Sequence, residues 1–167
     1  MEMKKILLIL CAVMVTLTVS AKDNASEPAG QYQIQGAGPA NGGSSMVYVT
    51  VMAKKADKVT EDMLVKAAVH GVLFRDYTDA SASGFGASSH HPAMMGSPAA
   101  YAQHLDFFEP FFRDGQYRGY AQYVDDSRRV VKSGKEYKVS AKVAVSSASL
   151  RKDLEKQGLL KGLRSGW

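Results

Sequence analysis

Cysteine is nearly missing from this sequence. The only one, Cys11, lies in an apolar leader at the N-terminus. Lys4 and Lys5 form a positive start, Ile6 to Val19 is apolar, and Val19-Ser20-Ala21 supplies small residues before the polar Lys22-Asp23. That layout predicts a secretory signal peptide over residues 1–21. Its removal leaves a chain without a thiol. Disulfides, a cysteine nucleophile and a thiolate metal site are then excluded. A lipoprotein acylated at Cys11 is the alternative, with Leu8 three positions upstream, although Leu10 is bulky where such signals carry a small residue. Either way the expectation is an exported bacterial protein, periplasmic or secreted.

Other signals are missing too. No second long apolar run follows the leader, so no transmembrane segment is expected after signal cleavage. The glycine-rich run Gly36 to Ser45 has no strand predicted before it and no Gly-Lys-Ser/Thr after it, which excludes a phosphate-binding loop. Gly84-Phe85-Gly86-Ala87-Ser88 has the wrong spacing for a nucleophile elbow. No aromatic-basic signature points to nucleic acid. No cofactor motif is present, so no cofactor is expected.

Charge is unevenly distributed. Lys22 to Phe112 carries 6 basic and 9 acidic residues, whereas Arg113 to Trp167 carries 13 basic and 6 acidic. A surface built from the second half would attract an acidic partner: an envelope protein, an acidic glycan or anionic lipid headgroups.

Three regions follow along the chain: the leader, a flexible Gly/Ser/Pro-containing tether over residues 22–45, and a single domain over residues 46–167. Val47, Val49, Val51 and Ala53 alternate with Tyr48, Thr50 and Met52, the period of a strand. Thr60 is placed to cap a helix running to about Tyr77, with Val59 and Leu64 as a hydrophobic staple. Gly71 inside it costs about 1 kcal/mol relative to alanine, which close packing would offset. Thr78 to Gly96 lacks periodicity and reads as a long loop, a length that is usually functional or disordered.

Ser97-Pro98 starts the next helix, with Tyr101, Leu105, Phe108 and Phe112 at helical spacing and Pro110 expected to kink or end it. Tyr117–Val124 and Arg128–Val131 read as strands joined at Asp125-Asp126. Tyr137, Val139, Ala141, Val143 and Val145 alternate with Lys138, Ser140, Lys142 and Ala144, giving one buried and one wet, basic face. Ser149 is read as the cap of a last helix, and Gly158 as its C′ residue, with Leu159 touching Leu154. The order β-α-α-β-β-β-α predicts an α/β (α+β) two-layer sandwich: a mostly antiparallel sheet of about four strands with helices on one face.

The run Ala68-Val69-His70-Gly71-Val72-Leu73-Phe74-Arg75, the tyrosine-rich Tyr117 to Tyr123 and the ending Leu150 to Gly158 resemble a group of small exported bacterial proteins of unknown function. The resemblance implies packing and capping, and no activity, ligand or catalytic residue. The order of elements is similar to that of small periplasmic domains that assist outer-membrane and cell-wall assembly, an analogy of fold.

Three functional readings stand. The first is a non-enzymatic binding or assembly module, with Lys138, Lys142, Arg128, Tyr117 and Tyr120 as candidate contacts. The second is a periplasmic hydrolase using the 78–96 loop, where serines surround His90. The third is a copper site in which His90, His91, Met94 and Met95 are joined by His104, because imidazole and thioether suit that metal. His70 reads either as a buried acid/base or as a histidine at a helix edge. Phe107, Phe108, Phe111 and Phe112 exceed what one helix face buries, so the helix is either covered nearly all round or partly exposed for a partner.

Overall fold

The strongest alternating stretch of the sequence forms the centre of the sheet. The computed structural model describes residues 31–38, 42–79 and 89–161. In chain order these form β1 (Tyr32–Gly36), β2 (Ser45–Ala53), α1 (Glu61–Phe74), β3 (Tyr77–Thr78), β4 (His90–His91), α2 (Ala99–Gln103), α3 (Leu105–Arg113), β5 (Ala121–Tyr123), β6 (Arg129–Ser133), β7 (Glu136–Val145) and α4 (Ser147–Lys156). The leader, Cys11 and the first part of the tether lie outside the described residues. Among the described residues, no helix is long and apolar enough to cross a membrane.

β7 pairs antiparallel with β2 along one edge, from Ser45 opposite Val145 to Ala53 opposite Tyr137. Its other edge is shared end to end by β5 and β6, both antiparallel. β1 extends the sheet beyond β2. The helices pack on one face only. Val47, Val49 and Val51 of β2 and Val139, Ala141, Val143 and Val145 of β7 join one core with Leu64, Val69 and Leu73 of α1, Phe108 and Phe112 of α3, and Leu150 and Leu154 of α4. Full burial of each such large side chain contributes roughly 1.5–3 kcal/mol. This is the expected two-layer sandwich, with a fifth strand and a small β3–β4 ladder added.

Several local expectations hold. Thr60 Oγ1 accepts the Met63 N–H at 3.2 Å, and Val59 and Leu64 are both buried. The Gly158 N–H reaches the Glu155 carbonyl and the Leu159 N–H reaches the Leu154 carbonyl, each at 3.0 Å. These are the two bonds of a Schellman ending.

Other expectations are corrected. The tether does not extend to residue 45, because Tyr32–Gly36 is a strand paired with Val47–Val51. Tyr32 and Ile34 alternate there with Gln33 and Gln35, and β2 supplies the hydrogen bonds that the segment cannot make alone. Gln116–Tyr120 is a 3₁₀ turn, and of the expected strand Tyr117–Val124 only Ala121–Tyr123 pairs as a strand. β5 and β6 are not paired with each other across Asp125-Asp126. Ser127 Oγ bridges the break instead, donating to the Val124 carbonyl at 2.5 Å and accepting the Lys142 N–H at 3.0 Å.

The aromatic helix breaks at His104 rather than at Pro110, which lies inside α3. The carbonyl that Pro110 cannot bond belongs to Asp106, an exposed residue that water can serve. Ser149 lies within α4, and Ser146 precedes its first turn. Phe108, Phe111 and Phe112 are buried and Phe107 is half-buried, while Leu105, Asp106, Glu109 and Arg113 are exposed, so α3 turns a broad aromatic face to the core and the opposite face to solvent.

Gly71 marks where β1 crosses α1. A Cβ there would lie 2.5 Å from Ile34 Cδ1 and 3.3 Å from its Cβ. Gly71→Ala should therefore lose about 1 kcal/mol net, since overpacking outweighs the gain in helix propensity. Ile34→Val removes Cδ1 and should restore at least half of that loss, read as the shift in urea midpoint. A Gly71→Ala variant more stable than the parent would overturn the packing account.

Candidate functional site

The sheet face opposite the helices is built by the other phase of each strand. In register, Tyr48 lies opposite Lys142, Thr50 opposite Ser140 and Met52 opposite Lys138. Thr50 and Ser140 share a hydrogen bond of 2.8 Å, and Lys142 Nζ lies 5.2 Å from the centre of the Tyr48 ring. β6 adds Arg129 opposite Ser140 and Val131 opposite Lys138. β1 adds Gln33 and Gln35, and β5 adds Gln122. The face carries three cations, Arg129, Lys138 and Lys142, against one carboxylate, Glu136, at the Ser133 end. Among the described residues no carboxylate sits between the three cations, so the potential over the middle of the face is positive.

The structure brings together only Lys138 and Lys142 of the predicted contacts. Arg128 is committed to the fold, donating through Nη2 to the Ala56 and Val59 carbonyls at 2.9 Å each. Tyr117 is buried, with its O–H donating to the Asp62 carboxylate at 2.8 Å. Burial, and then that bond, push its hydroxyl up to about 12. The Arg118 guanidinium, which bonds the same carboxylate at 2.6 Å, holds Asp62 below its usual range. Tyr120 lies on the helical side, donating to Asp153 at 3.0 Å in a hollow of about 100 Å³ with Phe107 and Phe111. Sequence reasoning missed Tyr48 and Arg129. The alternation of β2 set Tyr48 on the second face of the strand, but its seat beneath Lys142 depends on strand register.

The copper set is not assembled. Successive residues of an extended strand point to opposite sides. His90 accordingly faces Asp76 at 3.4 Å and His91 faces Asp79 at 3.1 Å. Met94 and Met95 are packed against the core, their amides bonded to the Val72 and Leu73 carbonyls. His104 stands at the break between α2 and α3. Among the described residues no group of three or more His, Cys, Asp or Glu side chains could hold a metal.

The hydrolase reading meets a partial geometry. Asp79, His91, Tyr77, Ser45 and Ser89 line a cleft of about 400 Å³. His91 stacks on Tyr77 with ring centres 4.7 Å apart. Asp79 is held by a close bridge to Gly36, where a Cβ would meet the carboxylate oxygen at 1.9 Å. An acid orienting a histidine is two-thirds of a triad. No serine hydroxyl among the described residues bonds His91, and Ser45 is paired with Ser147 at 2.5 Å.

His70 is neither at an edge nor in a cleft. It is buried among the rings of Tyr32, Phe74, Tyr101 and Phe112, and its Nδ1 pairs with the Tyr32 hydroxyl. Burial, reinforced by the charges of Arg75 and Lys66, lowers its pKa to about 3. Comparison with protein-family models, curated proteins and solved structures finds no match to this chain.

Proposed function

We propose that this protein is an exported, non-enzymatic binding or assembly module of a bacterial cell envelope whose open sheet face takes an acidic macromolecular partner. The observation that carries the reading is the cluster of Arg129, Lys138 and Lys142 on the face that the helices leave free. Tyr48, Met52 and Val131 give the same face apolar area, and Gln33, Gln35 and Gln122 give it neutral hydrogen-bonding groups. A binding module is preferred to a hydrolase because His91 has an acid partner but no bonded hydroxyl among the described residues. It is preferred to copper binding because each imidazole of the pair is engaged by its own carboxylate.

The test is charge reversal at two positions of the open face that the core does not use. Lys138→Glu/Lys142→Glu should weaken binding of poly-L-glutamate, or of an acidic polysaccharide such as alginate, about tenfold or more at low ionic strength. The difference should shrink as salt screens the charges. Equal binding by parent and variant at low salt would overturn the assignment of this face.

A further inference from the structure

β6 presents a strand edge that no other strand among the described residues occupies. Arg129 to Lys132 are all exposed, and Val130 and Val131 are 47% and 59% exposed. The phase of its backbone follows from its neighbours. The Lys142 carbonyl accepts the Val124 N–H at 3.1 Å and its own N–H goes to Ser127, so even-numbered residues of β7 turn their backbone groups toward this side. Bonded and non-bonded pairs alternate in an antiparallel ladder. Arg129, Val131 and Ser133 therefore bond β7, whereas Val130 and Lys132 turn N–H and C=O outward. Among the described residues no backbone group pairs with them on that side.

We propose that β6 accepts an extended acidic polypeptide segment as an added strand. This deepens the binding reading and rests on it. A polysaccharide can answer the cations of the face, but only a polypeptide strand can answer the row of outward donors and acceptors. Charge selects the occupant. A second copy paired edge to edge would bring two sets of Arg129 and Lys132 into one short ladder, and like charges across a ladder destabilise it. An incoming strand with carboxylates at alternate positions meets Arg129 on the open face, with Lys138 one strand behind it, while its intervening β-branched residues lie beside Val130. Arg129 thus acts both ways, guarding the edge against self-association together with Lys132 and leaving it open to an acidic strand.

The experiment uses a labelled synthetic peptide alternating Val and Glu, with a peptide of the same charge in which prolines replace valines as control. Binding of the alternating peptide should slow hydrogen exchange at the Val130 and Lys132 amides. Val130→Pro removes one outward N–H, keeps every bond to β7 and leaves the charge unchanged. It should weaken the peptide about tenfold or more while alginate binding, which needs only the cations of the face, is retained. Peptide binding that ignores Val130→Pro and leaves those amides unprotected would overturn strand addition. If Lys138→Glu/Lys142→Glu still lowered polyanion binding, the sheet-face reading would survive. No binding of any acidic probe would sink both. A concentration-dependent dimer abolished by Val130→Pro would replace the acidic segment with a second copy. If Val130→Pro fails to fold, amide exchange in the parent protein decides the matter.

Discussion

Phe74→Ala should cost the fold about 3–5 kcal/mol, the range for removing a buried phenylalanine. Phe74 has no exposed surface and ends α1. Its ring centre lies 4.9 Å from His70, 5.4 Å from Tyr101 and 4.8 Å from Phe108, the last two edge to face. That single side chain ties α1 to both α2 and α3. The site is walled by rigid rings on several sides, so collapse around the missing ring is limited and the cavity remains. Urea unfolding of parent and variant measures the difference. A loss below about 1.5 kcal/mol would mean that the aromatic cluster repacks freely.

The second large effect is acid lability without carboxylates. His70 in the native protein titrates at about 3, against 6.5 for an ordinary imidazole. Between those values the unfolded chain binds a proton that the native state refuses. Stability therefore rises with pH across that window, and what is present above pH 6.5 is lost as pH falls toward 3. The slope is half its full value at pH 6.5 and approaches about 1.4 kcal/mol per pH unit below it, so lowering the pH from 6.5 to 5 should cost about 1–2 kcal/mol.

Asp62 and Asp153, whose pKa values are lowered by hydrogen bonds to Arg118 and Lys156 respectively, add their own loss only as pH falls through the carboxylate range. His70→Asn keeps an acceptor near Nδ1 for the Tyr32 hydroxyl but does not titrate. It should be less stable than the parent at pH 7 and show a flatter dependence between pH 6.5 and 5. Equal slopes for the two proteins would show that the native imidazole takes up its proton over the same pH range as in the unfolded chain.

This buried histidine also shows how tertiary structure overrides local reading. His70 lies one residue from Gly71 in a helix whose pattern is almost uniformly apolar, so its own sequence context cannot say whether it faces water. β1 decides the matter by laying Tyr32 over one side and Ile34 against Gly71. The segment carrying both residues is short and set in glycine-rich sequence, and composition there outweighed a real alternation of Tyr32 and Ile34 with glutamines.

The candidate face divides along the same line. Lys138 and Lys142 were legible because the alternation of β7 separates a valine-rich phase from a basic one. Arg129 and Tyr48 were not, since their place beside those lysines follows from register. A shift of one residue would send them to the other face. Arg128 and Tyr117 had the right chemistry for a surface, but Ala56, Val59 and Asp62 claim them from distant parts of the chain.

The sequence by itself determined the features that depend on neighbours within a few positions. These are the Thr60 cap, the Schellman ending at Gly158, the alternation of β2 and β7, and with them a two-layer sandwich. Each is set by hydrogen bonds or side-chain periods that close within a turn or along one strand. Tertiary structure alone decided that Tyr32–Gly36 is a strand, that β5 and β6 share one edge of β7, that His90 and His91 part toward different carboxylates, and which cations gather on the open face. Those outcomes rest on pairings between segments far apart in the chain. There the contribution of a residue depends on what lies opposite it rather than on what lies beside it in sequence.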